Sequence, residues 1–406
     1  MKTSRLTILG LLVCYTFVPR VASAQLTAPR EAAQIELGPL SLYPSLQIID
    51  AGKDSNVFND GSAPREDYTV TLASRALAVV RFGPDELLFS SGSDYVWFKE
   101  FAQERSSNED YAVRFNLSAS RLKPYVGALW SQTRKRPSFE IDARALRLER
   151  ALLAGLRFNL TERTSIIAAA RSDDTSYEEG QRFRDTDLGV SLNRTGKFFS
   201  GGVRYALTPL TTLDVTGDYS EDIFPDSHIR DSKTYSVVPL LEFSPDAAIR
   251  GRLQGGYQII KPADLSLPEY RGGVLSAAVN WALFNGTTFD LVGTRNVSYS
   301  YQDGEPYYLL NGVRLTVDQR LFGPLDIHGG IDWEHLSYDW RKGADAVAGT
   351  ADRVDTTTQV RGGVRVNVRS GLKVVITAEH TNRKSNEDPR QNFTRTRLLT
   401  SVTIGS

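Results

Sequence analysis

Eight short turns divide this chain, near Pro84, Lys123, Glu162, Pro209, Pro245, Gly286, Gly323 and Ser370, with 36 to 47 residues from one to the next. Between successive turns lie two alternating apolar/polar stretches and one longer, charged loop. Period-two alternation over about 12 to 16 residues marks long strands with different media on their two faces, beyond the five or six residues usual in globular sheets. Short connections at one rim and long ones at the other predict an all-β transmembrane up-and-down antiparallel barrel. A soluble sandwich or propeller fits less well, because its hairpins have short connections at both ends. The count is 18 strands, the first opening near residue 39 and the last closing near 404. It falls to 16 if the first stretch and the one around 185–197 are not strands.

The N-terminus supplies the context. Lys2 and Arg5 precede an uncharged apolar run from Leu6 to Val18, Pro19 breaks it, and Ala22-Ser23-Ala24 fits the small-x-small cleavage pattern. Thirteen apolar residues are too few to cross about 30 Å of hydrocarbon as a helix. The expected organisation is a cleaved signal peptide over 1–24, a short periplasmic lead-in over 25–38 and an outer-membrane barrel over 39–406. Cleavage at this point removes the only Cys and the only Met and leaves 45 basic against 48 acidic residues, a net charge of −3. Disulfides and thiolate metal sites are then excluded, and near-neutrality argues against a nucleic-acid binder.

The clearest strands set the phase. Tyr111, Val113, Phe115, Leu117 and Ala119 share a face, as do Ile249, Gly251, Leu253, Gly255, Tyr257 and Ile259, and the even-numbered residues from Val354 to Val368. In a lipid-facing barrel these rows point outward and the polar rows inward. The expected pore lining is Arg114, Arg157, Arg204, Asp214, Asp218, Arg250, Arg252, Asp290, Arg314, Asp318, Asp332, Arg361, Arg365 and Glu379. If Arg250, Arg252, Arg361 and Arg365 are unpaired, a mild anion preference follows; if they pair with carboxylates on neighbouring strands, they brace the wall instead. Aromatics near the short turns (Phe82, Tyr125, Phe158, Tyr205, Phe243, Phe284, Phe289, Phe322) and near the long loops (among them Tyr68, Tyr95, Trp97, Tyr111, Tyr219, Tyr235, Tyr299, Tyr301, Tyr307, Trp333 and Tyr338) predict two interfacial girdles. The loops are rich in charge, as solvated surface loops are. Only Asp173 to Asn193 is long enough for an inward plug.

The phrase Leu42-Tyr43-Pro44-Ser45-Leu46 followed by Asp54-Ser55-Asn56-Val57-Phe58 resembles the opening of a family of outer-membrane β-barrel porins, some encoded beside exopolysaccharide synthesis genes. Asn159-Leu160-Thr161-Glu162-Arg163-Thr164 and Ala206-Leu207-Thr208-Pro209-Leu210-Thr211-Thr212 resemble its periplasmic turns. The resemblance covers the mature chain. It implies a channel for small polar solutes or a polysaccharide, located in a Gram-negative outer membrane and needing no cofactor. Its partners would be outer-membrane lipid and lipopolysaccharide, the barrel-assembly machinery and, for an export pore, polysaccharide-export components. Many such barrels end on an aromatic residue; this sequence ends Val402-Thr403-Ile404-Gly405-Ser406, a departure under which the assembly machinery either does not read the chain by that route or reads Ile404.

Competing functions are a dedicated exopolysaccharide exit pore, an outer-membrane hydrolase and a plugged structural or adhesive barrel. The hydrolase has thin support. His228 lies near Asp226 and Asp231, and His328 near Asp326, Asp332 and Glu334, with His335 and His380 further on. A His–carboxylate pair can act as a general base, yet no Gly-x-Ser-x-Gly nucleophile phrase and no His-Glu-x-x-His spacing occurs. Asp50, Asp54, Asn56 and Asp60 offer oxygens to a cation, but not with EF-hand spacing.

Overall fold

The computed structural model describes residues 33–283, 286–338, 352–369, 371–387 and 389–405. The expected signal and the first part of the lead-in therefore lie outside the described residues, as does Phe284. Strands run in chain order from β1 (Ile35–Leu37) and β2 (Leu40–Asp54) through β3 (Asp67–Phe82), β4 (Asp85–Phe98), β5 (Ser106–Asn116), β6 (Leu122–Lys135), β7 (Ala145–Asn159) and β8 (Thr164–Tyr177). A small hairpin, β9 (Arg182–Phe183) and β10 (Thr186–Asp187), and the one-turn helix α1 (Leu188–Leu192) fill the next loop. The wall resumes with β11 (Arg194–Thr208), β12 (Thr211–Ile223), β13 (Ser232–Phe243), β14 (Ile249–Pro262), β15 (Tyr270–Leu283) and β16 (Thr287–Tyr299). It ends with β17 (Tyr307–Phe322), β18 (Leu325–Tyr338), β19 (Arg353–Arg369), β20 (Leu372–Ser385) and β21 (Phe393–Gly405).

Leaving out β1, β9 and β10, each of these strands pairs antiparallel with the next, and β2 pairs with β21 to close an 18-stranded barrel. The stretch around 185–197 holds β10, α1 and the start of β11, which is why its alternation is broken. Tight turns at Gly83-Pro84 and Gly323-Pro324 place glycine at φ +63° and +52°, a region that costs glycine nothing.

The seam is irregular. β2 is bulged at Asp50, a non-glycine residue at φ +54°, and its register shifts against both β3 and β21 there. β1 lies within the stretch expected as a free lead-in, and it folds back on β2, with Ile35 opposite Leu42 and Leu37 opposite Leu40. Pairing of β21 with β2 ends at Gly405 opposite Ser45, so β1 occupies the same flank of β2 just beyond it.

Alternation along the wall is regular. On β14, Ile249, Leu253 and Tyr257 are exposed while Arg250, Arg252 and Gln254 are half-buried. Compact clusters of buried side chains gather at the long-loop rim, which is extracellular in barrels of this class.

Candidate functional site: a charged lumen beneath an in-folded mouth

Arg383 on β20 identifies the inner face. Its guanidinium donates to the Phe139 carbonyl (2.6 Å) and to Asp142 (2.7 Å), both in the β6–β7 loop, which starts from strands about a third of the way around the barrel. Glu379 shares that row of β20. Carried around the barrel by the strand register, all 14 expected lining residues fall on rows opposite the exposed apolar ones.

Many of these charges neutralise one another. Arg204 donates to Asp214 (2.7 and 2.9 Å) and Glu242 (2.6 Å). Arg361 grips Asp332 through two bonds of 3.1 and 2.8 Å, and Arg314 donates to the same carboxylate at 3.0 Å. Arg365 pairs with Asp318 at 2.8 Å, and Glu379 with Arg397. Asp290 accepts from Asn280 (2.7 Å), and Asp218 from Ser200 (2.6 Å) and Ser236 (3.3 Å). Arg361 and Arg365 thus brace the wall.

Four arginines differ. Arg114 lies 4.0 Å from the centroid of the Tyr125 ring and donates to Asn116. Tyr125 therefore faces inward rather than joining the lower girdle. Gly155 makes room for it, because a Cβ there would stand 2.4 Å from the ring. Arg157, Arg250 and Arg252 have no carboxylate within salt-bridge reach among the described residues; Arg250 donates to the Ala247 carbonyl at 3.3 Å. With Arg204 they set four guanidiniums against three carboxylates, Asp214, Asp218 and Glu242, on the β7–β14 wall.

The mouth is built from segments that leave the wall. β15 and β16 are paired only up to Leu275 and Arg295, although both strands continue toward the loop rim. Above that point the β16–β17 hairpin leans across the lumen. Tyr299 bonds Asp222 (2.7 Å) and Ser232 (3.0 Å) and stacks edge-on against Phe224. Tyr301 packs against Phe183 at 4.9 Å, joining a cluster with Ile141, Leu188 and Leu192. The Tyr307 hydroxyl donates to the Arg230 carbonyl at 2.9 Å. Tyr299, Tyr301, Tyr307 and Tyr338 are expected in the outer girdle; they are interior residues of this mouth, the first three because the hairpin that carries them bends inward and Tyr338 because it lies on the inward row of β18 with Asp332.

Residues 136–144 meet the hairpin from the opposite side. Fully buried Glu140 accepts from Ser300 (2.8 Å), Tyr338 (3.0 Å) and the Tyr301 N–H (3.2 Å), with Arg353 at 3.6 Å. Asp355 joins Arg353 (2.7 Å) to Arg383 (3.1 Å), and Arg383 returns to Asp142. Burial pushes the Glu140 carboxyl above the usual glutamate range, against the pull of Arg353 and its hydrogen-bond donors. The inward elements are therefore the 136–144 loop and the β16–β17 tip, with the 178–193 segment packed on them rather than acting alone. Phe139, Ile141 and Ala143 alternating within a charged loop, and the tyrosines at 299, 301, 307 and 308, were the available signals.

A family model described as "Putative beta-barrel porin 2" matches residues 28–405. The chain belongs to this porin family. No curated protein matches it. Among solved structures, this porin-family barrel is similar to OccK2 (OpdF) of Pseudomonas aeruginosa at 12% identity and TM-score 0.51, covering 90% of this chain and 98% of that one. The same protein in complex with glucuronate gives 12% identity and TM-score 0.50 with the same coverage. At that identity the likeness shows the fold, an outer-membrane porin barrel. Family and fold together make this a porin-like channel.

The histidines of this porin-family chain have modest partners. His328, His335 and His380 contact Thr377, Thr356 and Thr396 at 3.0–3.1 Å, and exposed His228 contacts Asp231 at 2.9 Å. Asp54 is held by Arg395, and Asn56 by Asp60. Among the described residues, no three His, Cys, Asp or Glu side chains converge as metal ligands would.

Proposed function

We propose that the barrel passes small anionic solutes passively across the outer membrane. The observation that carries this is the set of luminal arginines that, among the described residues, have no carboxylate within salt-bridge reach, Arg157, Arg250 and Arg252, while Arg204 holds both Asp214 and Glu242. Fixed charge along a pore sets the sign of the ions it admits, and these guanidiniums are always charged. The remaining expected lining residues would contribute polarity rather than net charge. Export through the 1–24 signal and insertion by the barrel-assembly machinery belong to the same reading.

Reversal potentials across a planar bilayer in a salt gradient test it. The wild type should favour anions, and Arg250→Gln with Arg252→Gln should reduce that preference, while Arg361→Gln should do less because Arg361 is already paired. Cation preference in the wild type would sink the idea. A dedicated exit pore for an acidic polysaccharide, working with export components, shares the lumen chemistry. The in-folded mouth favours the smaller solutes, since a polymer would have to part the 136–144 loop from the β16–β17 tip.

A further inference from the structure

On the outer wall, one register row runs Leu156, Ala168, Gly201, Gly217, Val237, Tyr257, with its three smallest residues side by side. A Cβ added at Gly201 or Gly217 would meet no atom within 4 Å, so the wall is indented there. The next outward row toward the loops carries Phe199, Tyr219 and Tyr235, their ring centroids 6.4 and 5.4 Å apart, as a ledge above the indentation. One row higher stand Lys197, Glu221, Lys233 and Lys261, with Arg271 beside the ledge.

The cations outnumber the acids. Lys233 lies 3.6 Å from Glu221, and Arg271 pairs with Glu269 at 2.7 Å. The Lys261 ammonium sits 5.7 Å from the Tyr235 ring centroid, and Lys197 has no ionic partner among the described residues. Four cations thus face two carboxylates. At about 3.4 Å per residue, four residues place the lysines roughly 14 Å along the strand from the glycines, or about 10 Å higher at a strand tilt of about 40°. That separates an acyl-chain depth from a headgroup depth. Lysine stems can lie along apolar surface while their ammonium groups reach polar headgroups, and anionic headgroups attract such clusters.

We propose that this patch binds a phosphorylated, multiply acylated glycolipid of the outer leaflet, of the lipopolysaccharide class. Acyl chains would lie in the indentation under the aromatic ledge, and phosphates would meet Lys197, Lys233 and Lys261. The proposal rests on the outer-membrane placement of the barrel and is independent of what the lumen passes.

The test uses the full-length mature barrel, stripped of lipid in detergent and incubated with deep-rough lipopolysaccharide or with phosphatidylglycerol, with retained lipid read by native mass spectrometry. Lys233→Glu with Lys261→Glu should cut lipopolysaccharide retention by at least about tenfold. Gly201→Leu with Gly217→Leu should also cut it, by filling the indentation. Gel mobility before and after boiling, together with unchanged single-channel conductance, shows that each variant is folded. Equal retention of the two lipids, or unchanged retention in both variants, overturns the proposal. So does a stable dimer or trimer that the leucine variant splits, which would assign the indentation to a second copy.

Discussion

Glu140 holds the in-folded mouth together, and its environment gives that mouth a pH dependence. Its carboxyl is raised by burial, so the neutral form is favoured when the loop is seated. The contribution of this group to the closed arrangement is complete below the ordinary glutamate pKa and is lost as pH rises through the raised value. Open probability in a planar bilayer should therefore increase with pH. Glu140→Gln, permanently neutral and still able to accept from Ser300 and Tyr338, should remove the slope and keep the mouth closed at every pH. A slope of opposite sign, or one that persists in the glutamine variant, would count against this account. Arg383 is less forgiving. It is buried with bonds to Phe139, Asp142 and Asp355, and removing one partner of a buried ionic network typically costs about 3–5 kcal/mol.

At the scale of the strand, β20 offers a direct comparison of the two faces. Ile376 is exposed on the outer row beside Val364, and Thr377 faces the lumen, where its hydroxyl meets His328 at 3.1 Å. Ile376→Arg should cost about 2–4 kcal/mol if the residue lies near the bilayer midplane, and Thr377→Arg little beyond one hydrogen bond. Urea titration of refolding into vesicles measures both, and equal losses would mean that the two faces are misassigned. This phase was readable in the sequence because alternation is a local property: Val374, Ile376 and Ala378 against Lys373, Thr377 and Glu379 need no knowledge of neighbours. Strand number was legible for the same reason. The mouth was not. Tyr301 and Tyr307 sit where girdle aromatics sit in sequence, and only the parting of β16 from β15 sends them inward. Pairing was equally hidden: Arg361 and Arg252 look alike in sequence, yet Arg361 finds Asp332 on the next strand, whereas Glu242, directly opposite Arg252, is taken by Arg204.

For the whole molecule, the closed sheet satisfies backbone hydrogen bonds internally, the condition for crossing hydrocarbon with strands. Purified in detergent, the protein should migrate differently on a gel before and after boiling; identical mobility together with solubility in the absence of detergent would contradict a membrane barrel. The β2–β21 pairing also bears on how the barrel forms and fails. Hairpin neighbours meet across a few turn residues, whereas Ser45 and Gly405 must find each other across nearly the whole chain. Contacts of such long sequence separation form late, because their loop-closure entropy is lost before anything offsets it. The bulge at Asp50 leaves two short runs of pairing there instead of one continuous ladder. Under load or denaturant the cylinder should unzip first along this line, so that the last contact made in assembly is the first surrendered.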